Sequence, residues 1–181
     1  GLSHDYWNEI MKDPYKPLLN KTVQNNYPPG SIFKMIVVLA ALESGMNSAA
    51  KVPCTGGNSA LGETHFRCWY KPGHGDLNLN EALEHSCNSY MYHIAKTIGA
   101  EKIAEVARKF GFGTPTGIDL PTESAGLIPD AIWKRNQFKQ EWRLGDSLNT
   151  SIGQGFVLAT PLQMTNFCAS IANGGRLLVP R

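Results

Sequence analysis

The stretch YPPGSIFKMIVVLAALESG, Tyr27–Gly45, places a lysine where the pattern asks for an apolar side chain. From Ile32 to Leu42 every residue is apolar except Lys34, and lysine is among the residue types least often buried. Pro28 and Pro29 block helix before this point, and Gly30 permits a tight turn. The apolar run then predicts a core helix over residues 31–44, stopped by Gly45. Ser31 stands where that helix begins, next to unpaired N–H groups and a partial positive charge that favour an oxyanion. Residues three apart share a helix face, so the Lys34 amine is expected to approach the Ser31 hydroxyl. Burial disfavours the ammonium form and leaves a neutral amine able to take the hydroxyl proton. A bare S-x-x-K has a plainer reading, with the serine as helix cap and the lysine reaching to water. The P-P-G lead-in and the buried helix favour the catalytic one.

Fifty-five residues downstream, LEHSCNSYMYHIA carries S-C-N at Ser86, Cys87 and Asn88. A hydroxyl and an amide at this spacing can face one cleft, the first relaying a proton and the second holding a carbonyl. Leu79, Leu83, Cys87, Met91, Ile94 and Ile98 recur near helical spacing, which predicts one helix over 79–98 with Asn80 as N-cap and Gly99 as stop. Further helices are expected over about 101–110 and over 160–172, the latter with Thr160 as N-cap and Pro161 at the first position. Residues 1–30 and 113–150 read as irregular, 52–78 as a long Gly-rich loop, and no strand pair is evident. RLLVP near the C-terminus reads as the start of a strand.

The composition suits a folded chain: 181 residues, 42% hydrophobic and 18% charged. A net charge of +2 argues against nucleic acid as a partner. The run Met35–Leu42 is too short to span a bilayer, so no transmembrane segment is predicted, and no signal peptide opens the chain. A first residue other than Met suggests a piece of a longer protein.

S-x-x-K followed by S-x-N resembles the penicilloyl-serine transferases. Within them, YPPGSIFKMIVVLAALESG, GHGDLNLNEALEHSCNSYMYHIA and SIGQGFVLATPLQMTNFCASIANGG look like the transpeptidase domain of class B penicillin-binding proteins of the elongation, cell-shape type. The resemblance implies an α/β transpeptidase fold related to the β-lactamases, of which this chain supplies mainly the helical lobe. It implies Ser31 as acylated nucleophile, Lys34 as its base, Ser86 as proton shuttle and Asn88 as holder of the substrate amide. The Ser31 N–H would form half of an oxyanion hole, and the GQG at 153–155 a structural loop nearby. It implies a D,D-transpeptidase that cross-links stem peptides ending in D-Ala-D-Ala, is trapped by β-lactams, and works with a lipid-linked glycan polymerase. The domain would sit in the periplasm of a protein anchored in the inner membrane. The family's third motif, K-T-G, is expected after residue 181, and the anchor and pedestal before residue 1. KTIG at 96–99 lies in a predicted helix and reads as a decoy. A D,D-carboxypeptidase, a serine β-lactamase, and a non-catalytic β-lactam sensor or zinc-stabilised binding domain are the alternatives.

Cys54, Cys68, His74 and Cys87, spaced by 14, 6 and 13 residues, are ligand types that suit tetrahedral zinc. Such an ion would pin the long loop to the helix bearing Ser86 and Asn88. A Cys54–Cys68 disulfide and free thiols are the rival readings. The resemblance adds that some elongation-type relatives hold a metal in this loop with carboxylate, histidine and cysteine ligands. His65 is the alternative nitrogen donor. Cys168 reads as core, and His85 and His93 as structural or surface groups. Trp69 and Tyr70 read as a cover for the core, with the substrate groove as the second reading. WKRNQFKQEWR, 133–143, reads as a solvated flap, with an anionic glycan or lipid surface as the second reading.

Overall fold

The Tyr27–Gly45 stretch folds as a 3₁₀ turn, Gly30–Phe33, running into helix α2, Lys34–Glu43. The computed structural model that shows this describes residues 1–57, 59–61 and 64–181, and of residues 59–61, 64 and 65 the backbone alone. A helix apolar on nearly all sides belongs at the centre of a domain, and Ile36, Val37, Ala40 and Ala41 are fully buried. Helix α4, Asn88–Lys109, packs against α2 on one side and against α6, Leu144–Ser151, on another. Gly99, with φ 81° and ψ 163°, breaks α4 into two helical pieces.

Aromatic rings tie the turn that carries Ser31 to the C-terminal helix α7, Pro161–Ala172. Phe33 meets Phe112 edge-on at 5.9 Å between centroids, and Phe112 meets Phe167 of α7 at 5.6 Å. Such edge contacts add about 0.5–1.5 kcal/mol each beyond their burial. From the other side, the Gly30 N–H donates to the Gly153 carbonyl at 2.9 Å. Gly153 has φ +67°, and a Cβ there would lie 2.2 Å from the Gly30 carbonyl oxygen. Only glycine lets these two backbones meet behind Ser31.

The long loop holds four short strands: β1, Val52–Cys54; β2, Ser59–Leu61; β3, Thr64–Phe66; and β4, Gly75–Leu77. β1 pairs antiparallel with β4, Cys54 opposite Gly75, and β2 pairs with β3. The expectation of no strand pair is therefore corrected. Three-residue strands among glycines and prolines carry too little alternation to be read from the chain alone.

Other boundaries differ as well. The helix expected over 79–98 is two: α3, Leu79–Glu84, and the start of α4. Ser86 between them has φ +51°, yet Leu79, Cys87, Met91 and Ile94 are all buried, so the apolar rhythm survives the break. The cap of α3 is Asn78 rather than Asn80. Its side chain accepts from the Glu81 N–H at 3.0 Å, and the Glu81 carboxylate accepts from the Asn78 N–H at 2.8 Å. Residues 1–30 include α1, His4–Lys12, and residues 113–150 include α5, Ala131–Phe138, and α6. RLLVP forms no strand. At α7 the expected Thr160 cap is found, with Gln163 completing a capping box.

The 133–143 segment is mostly exposed, as expected of a solvated flap, but it is anchored at its start. Lys134 is buried and donates to Asp146 of α6 at 2.5 Å, while Trp133 and Phe138 pack on Phe156. Cys168 is exposed, since α7 turns Gln163, Phe167 and Ser170 inward. Among the described residues no helix is long and apolar enough to cross a membrane.

Candidate active site

Lys34 is 1% exposed, yet its amine is fully partnered. Nζ donates to the Ser86 carbonyl at 2.7 Å, to Ser86 Oγ at 2.9 Å and to Asn88 Oδ1 at 2.7 Å. Three acceptors match the three N–H groups of an ammonium. Burial nonetheless pulls its pKa down to about 8, against an upward pull from charge on Cys68 and Cys87. Removing the proton at neutral pH then costs about 1.4 kcal/mol per pH unit below that value.

The Ser86 hydroxyl in turn donates to Ser31 Oγ at 3.1 Å. Among the described residues Lys34 thus connects to Ser31 through Ser86, where a direct approach across one helix face was expected. Ser31 sits in the 3₁₀ turn, while Lys34 opens the α-helix proper and is buried, its amine held by Ser86 and Asn88. Ser31 is exposed. Non-glycine residues with positive φ cost energy and cluster at functional sites. The left-handed turn at Ser86 lets its carbonyl and its hydroxyl face the same amine. Asn88 Nδ2 also donates to the Arg67 carbonyl at 3.4 Å.

Ser31, Ser86 and Asn88 share a cavity of about 320 Å³ with Trp69, Ile152 and Gln154. Trp69 and Tyr70 are exposed rather than laid over the core. Ile152 and Gln154 escaped the sequence reading beyond the GQG pattern. KTIG falls inside α4, where the Thr97 hydroxyl donates back to the His93 carbonyl.

The second cluster lies one residue away. The ligand atoms of Cys54, Cys68, His74 and Cys87 all fall within 4.8 Å of one another. His74 Nδ1 is 3.5 Å from Cys54 Sγ and 3.5 Å from Cys68 Sγ, and Cys68 Sγ is 4.0 Å from Cys87 Sγ. Bonds of about 2.3 Å to sulfur and 2.0–2.1 Å to nitrogen give a tetrahedron with edges of roughly 3.5–3.8 Å, close to these spacings. All four cysteines are free, Cys54 and Cys68 of the rival disulfide included. The glycines bring this about: Gly73 has φ +87°, and a Cβ there would strike the Cys54 carbonyl at 2.3 Å. Burial alone would raise the Cys54 thiol, but hydrogen bonds from the Ser89 hydroxyl and from the backbones of His74 and Gly56 bring it down to about 6. Cys87 is pushed up, chiefly by burial. His74 Nε2 is buried without a hydrogen-bond partner. The His65 side chain lies outside the described residues. His85 stacks on His74 at 5.6 Å, and His93 lies against Tyr90.

The chain matches the penicillin binding protein transpeptidase domain over residues 3–181. It is 39% identical to the peptidoglycan D,D-transpeptidase MrdA of Acinetobacter baumannii, over 99% of this chain and 27% of that protein. The Helicobacter pylori penicillin-binding protein PBP2, solved in complex with MreC, superposes with a TM-score of 0.94 at 42% identity, over 99% of this chain and 34% of that one. Pseudomonas aeruginosa PBP2 in complex with WCK 5153 gives 0.93 at 32% identity, over 99% and 41%. The chain therefore spans about a quarter of the curated relative's length.

Proposed function

The chain belongs to the transpeptidase family of penicillin-binding proteins, and from that premise we propose that the protein carrying it is a peptidoglycan D,D-transpeptidase with Ser31 as nucleophile. The observation that carries this reading is the hydrogen-bonded line from Lys34 through Ser86 to Ser31. Neutral Lys34 accepts the Ser86 proton while Ser86 accepts that of Ser31. Ser31 Oγ attacks the carbonyl of the peptide bond before the terminal D-alanine of a stem peptide. The proton returns through Ser86 to the departing amine, and an ester remains on Ser31. An amine on a neighbouring stem then attacks that ester, and Ser31 regains its proton. β-Lactams enter by the same first step and stay bound. Asn88, anchored by Lys34 and Arg67, is suited to orient the substrate amide.

Cys54, Cys68, His74 and Cys87 would hold a zinc ion, which supplies a structural cross-link between the loop and the first turn of α4. The near-tetrahedral spacing of the sulfurs and His74 Nδ1 supports this. The protein would act in the periplasm, anchored in the inner membrane, beside a lipid-linked glycan polymerase. A structural relative 32% identical to this chain was solved in a peptidoglycan synthase complex that coordinates polymerization and crosslinking, which supports an assembly of this kind.

The test is mass spectrometry of the full-length protein with a penicillin, beside Ser31→Ala. One stable adduct, absent from the variant, is the expected result. An adduct retained in Ser31→Ala overturns the assignment, and rapid release of hydrolysed penicillin identifies a β-lactamase instead.

A further inference from the structure

Trp69 presents an unusual combination. It is 62% exposed, yet its ring is held from several sides. Nε1 lies 3.1 Å from the carbonyl oxygens of both His85 and Ser86. The ring tilts against Tyr70 at 5.7 Å and meets His74 edge-on at 5.4 Å. An exposed indole normally keeps rotamer freedom, so a ligand that covers it must also order it. Here the ordering cost is already met, and Trp69 lines the cavity that also holds Ser31, Ser86, Asn88, Ile152 and Gln154.

The position relative to Ser86 says which part of a substrate Trp69 meets. The Ser86 hydroxyl stands between Lys34 and Ser31. A proton given to a departing amine, or taken from an entering one, passes through it. The amine therefore sits beside Ser86, and Trp69 is bonded to the carbonyl of that same residue. We infer that Trp69 is the wall of the acceptor half of the cleft, its indole face receiving the carbon chain that flanks the attacking amine. This rests on the transpeptidase reading above. In the step concerned, the amine nitrogen bonds to the acyl carbon of the Ser31 ester and the bond from that carbon to Oγ breaks. The amine's proton passes by way of Ser86 to Ser31 Oγ, leaving a new amide and the free serine.

The probe is the full-length protein with a thioester analogue of the D-alanyl stem peptide as donor. D-phenylalanine and glycine serve as competing acceptors. The quantity measured is the ratio of amide product to hydrolysed product. Both products arise from one acyl-enzyme, so damage that merely slows acylation cancels. W69A should lower the ratio for D-phenylalanine about tenfold, the size of one lost apolar contact. The ratio for glycine should move much less, and W69F should hold the preference for D-phenylalanine. If W69A does not fold, W69Q offers similar reach without the apolar face. An unchanged ratio, or an equal fall for both acceptors, overturns the inference and leaves the transpeptidase reading standing. Absence of any acyl-enzyme in the wild type, with thioester or penicillin, overturns that reading itself.

Discussion

Two polar clusters meet at three consecutive residues, and they are satisfied in different ways. Around Lys34 every donor has a protein acceptor: Ser86 and Asn88 take all three N–H groups, and the helices α2 and α4 hold the partners in place. Around Cys87 the four ligand atoms face one another inside 4.8 Å; Cys54, Cys68 and His74 sit on a loop held by three-residue strands, and Cys87 stands at the start of α4. Buried polar groups need partners. The first cluster finds them within the fold, and the second is arranged as a cation would require. Ser86 and Asn88 belong to one cluster and Cys87, between them, to the other, so the loop's integrity bears on the catalytic geometry.

The comparison breaks most sharply at Lys34, the proposed base. Lys34→Met keeps the length of the side chain and removes the amine. It should slow penicillin acylation about 10²–10⁴-fold in stopped-flow kinetics while the metal content stays as in the wild type. A comparable loss of metal would mean that the two clusters are one unit.

If the proposed zinc is bound, stripping it acts from the other side. Where free zinc stood at 1,000 times its dissociation constant, its removal lowers stability by about 4 kcal/mol, read as a fall in melting temperature. Cys68→Ser should show the same fall. Cys87→Ser should lower both melting temperature and acylation rate, because it removes a proposed zinc ligand that stands between Ser86 and Asn88. Equal acylation by Cys87→Ser and wild type would sever the proposed link between loop and site.

Titration sharpens the catalytic side. In the mechanism proposed above the neutral amine is the active form, and burial holds Lys34 at about 8 with the Cys68 and Cys87 sulfurs opposing. Acylation should therefore rise nearly tenfold per pH unit below about 8 and level off above it, measured between pH 6 and 9. A flat profile would remove Lys34 as the group that limits the rate.

The smallest effect belongs to Ser89, whose Oγ lies 3.5 Å from Cys54 Sγ. Ser89→Ala should weaken zinc about 10-fold, the low end for a lost partner of a metal ligand, in a competition titration. Acylation of the zinc-loaded protein should be unaltered.

Much of this was legible in the chain. Lys34 in an apolar run and the S-C-N downstream point to the cleft, because catalytic chemistry needs particular atoms at short spacing. The α7 boundaries were legible for the same local reason: Thr160, Pro161 and Gln163 cap a helix through neighbours within one turn. Trp69 was misread because exposure is decided by what lies opposite in space, and periodicity says nothing of that. Cys168 failed likewise, since a thiol fits either side of a helix.

The sequence by itself therefore determined the family and named the residues of both clusters, with His65 and a Cys54–Cys68 disulfide left open at the second, since residue type and short spacing are local. Only the tertiary structure decided that Lys34 reaches Ser31 through Ser86. It also decided that a left-handed residue parts α3 from α4, and that four ligands spread over residues 54–87 converge. Those outcomes depend on contacts between segments far apart in the chain, and on glycines such as Gly73 and Gly153 that let backbones approach where a Cβ would collide.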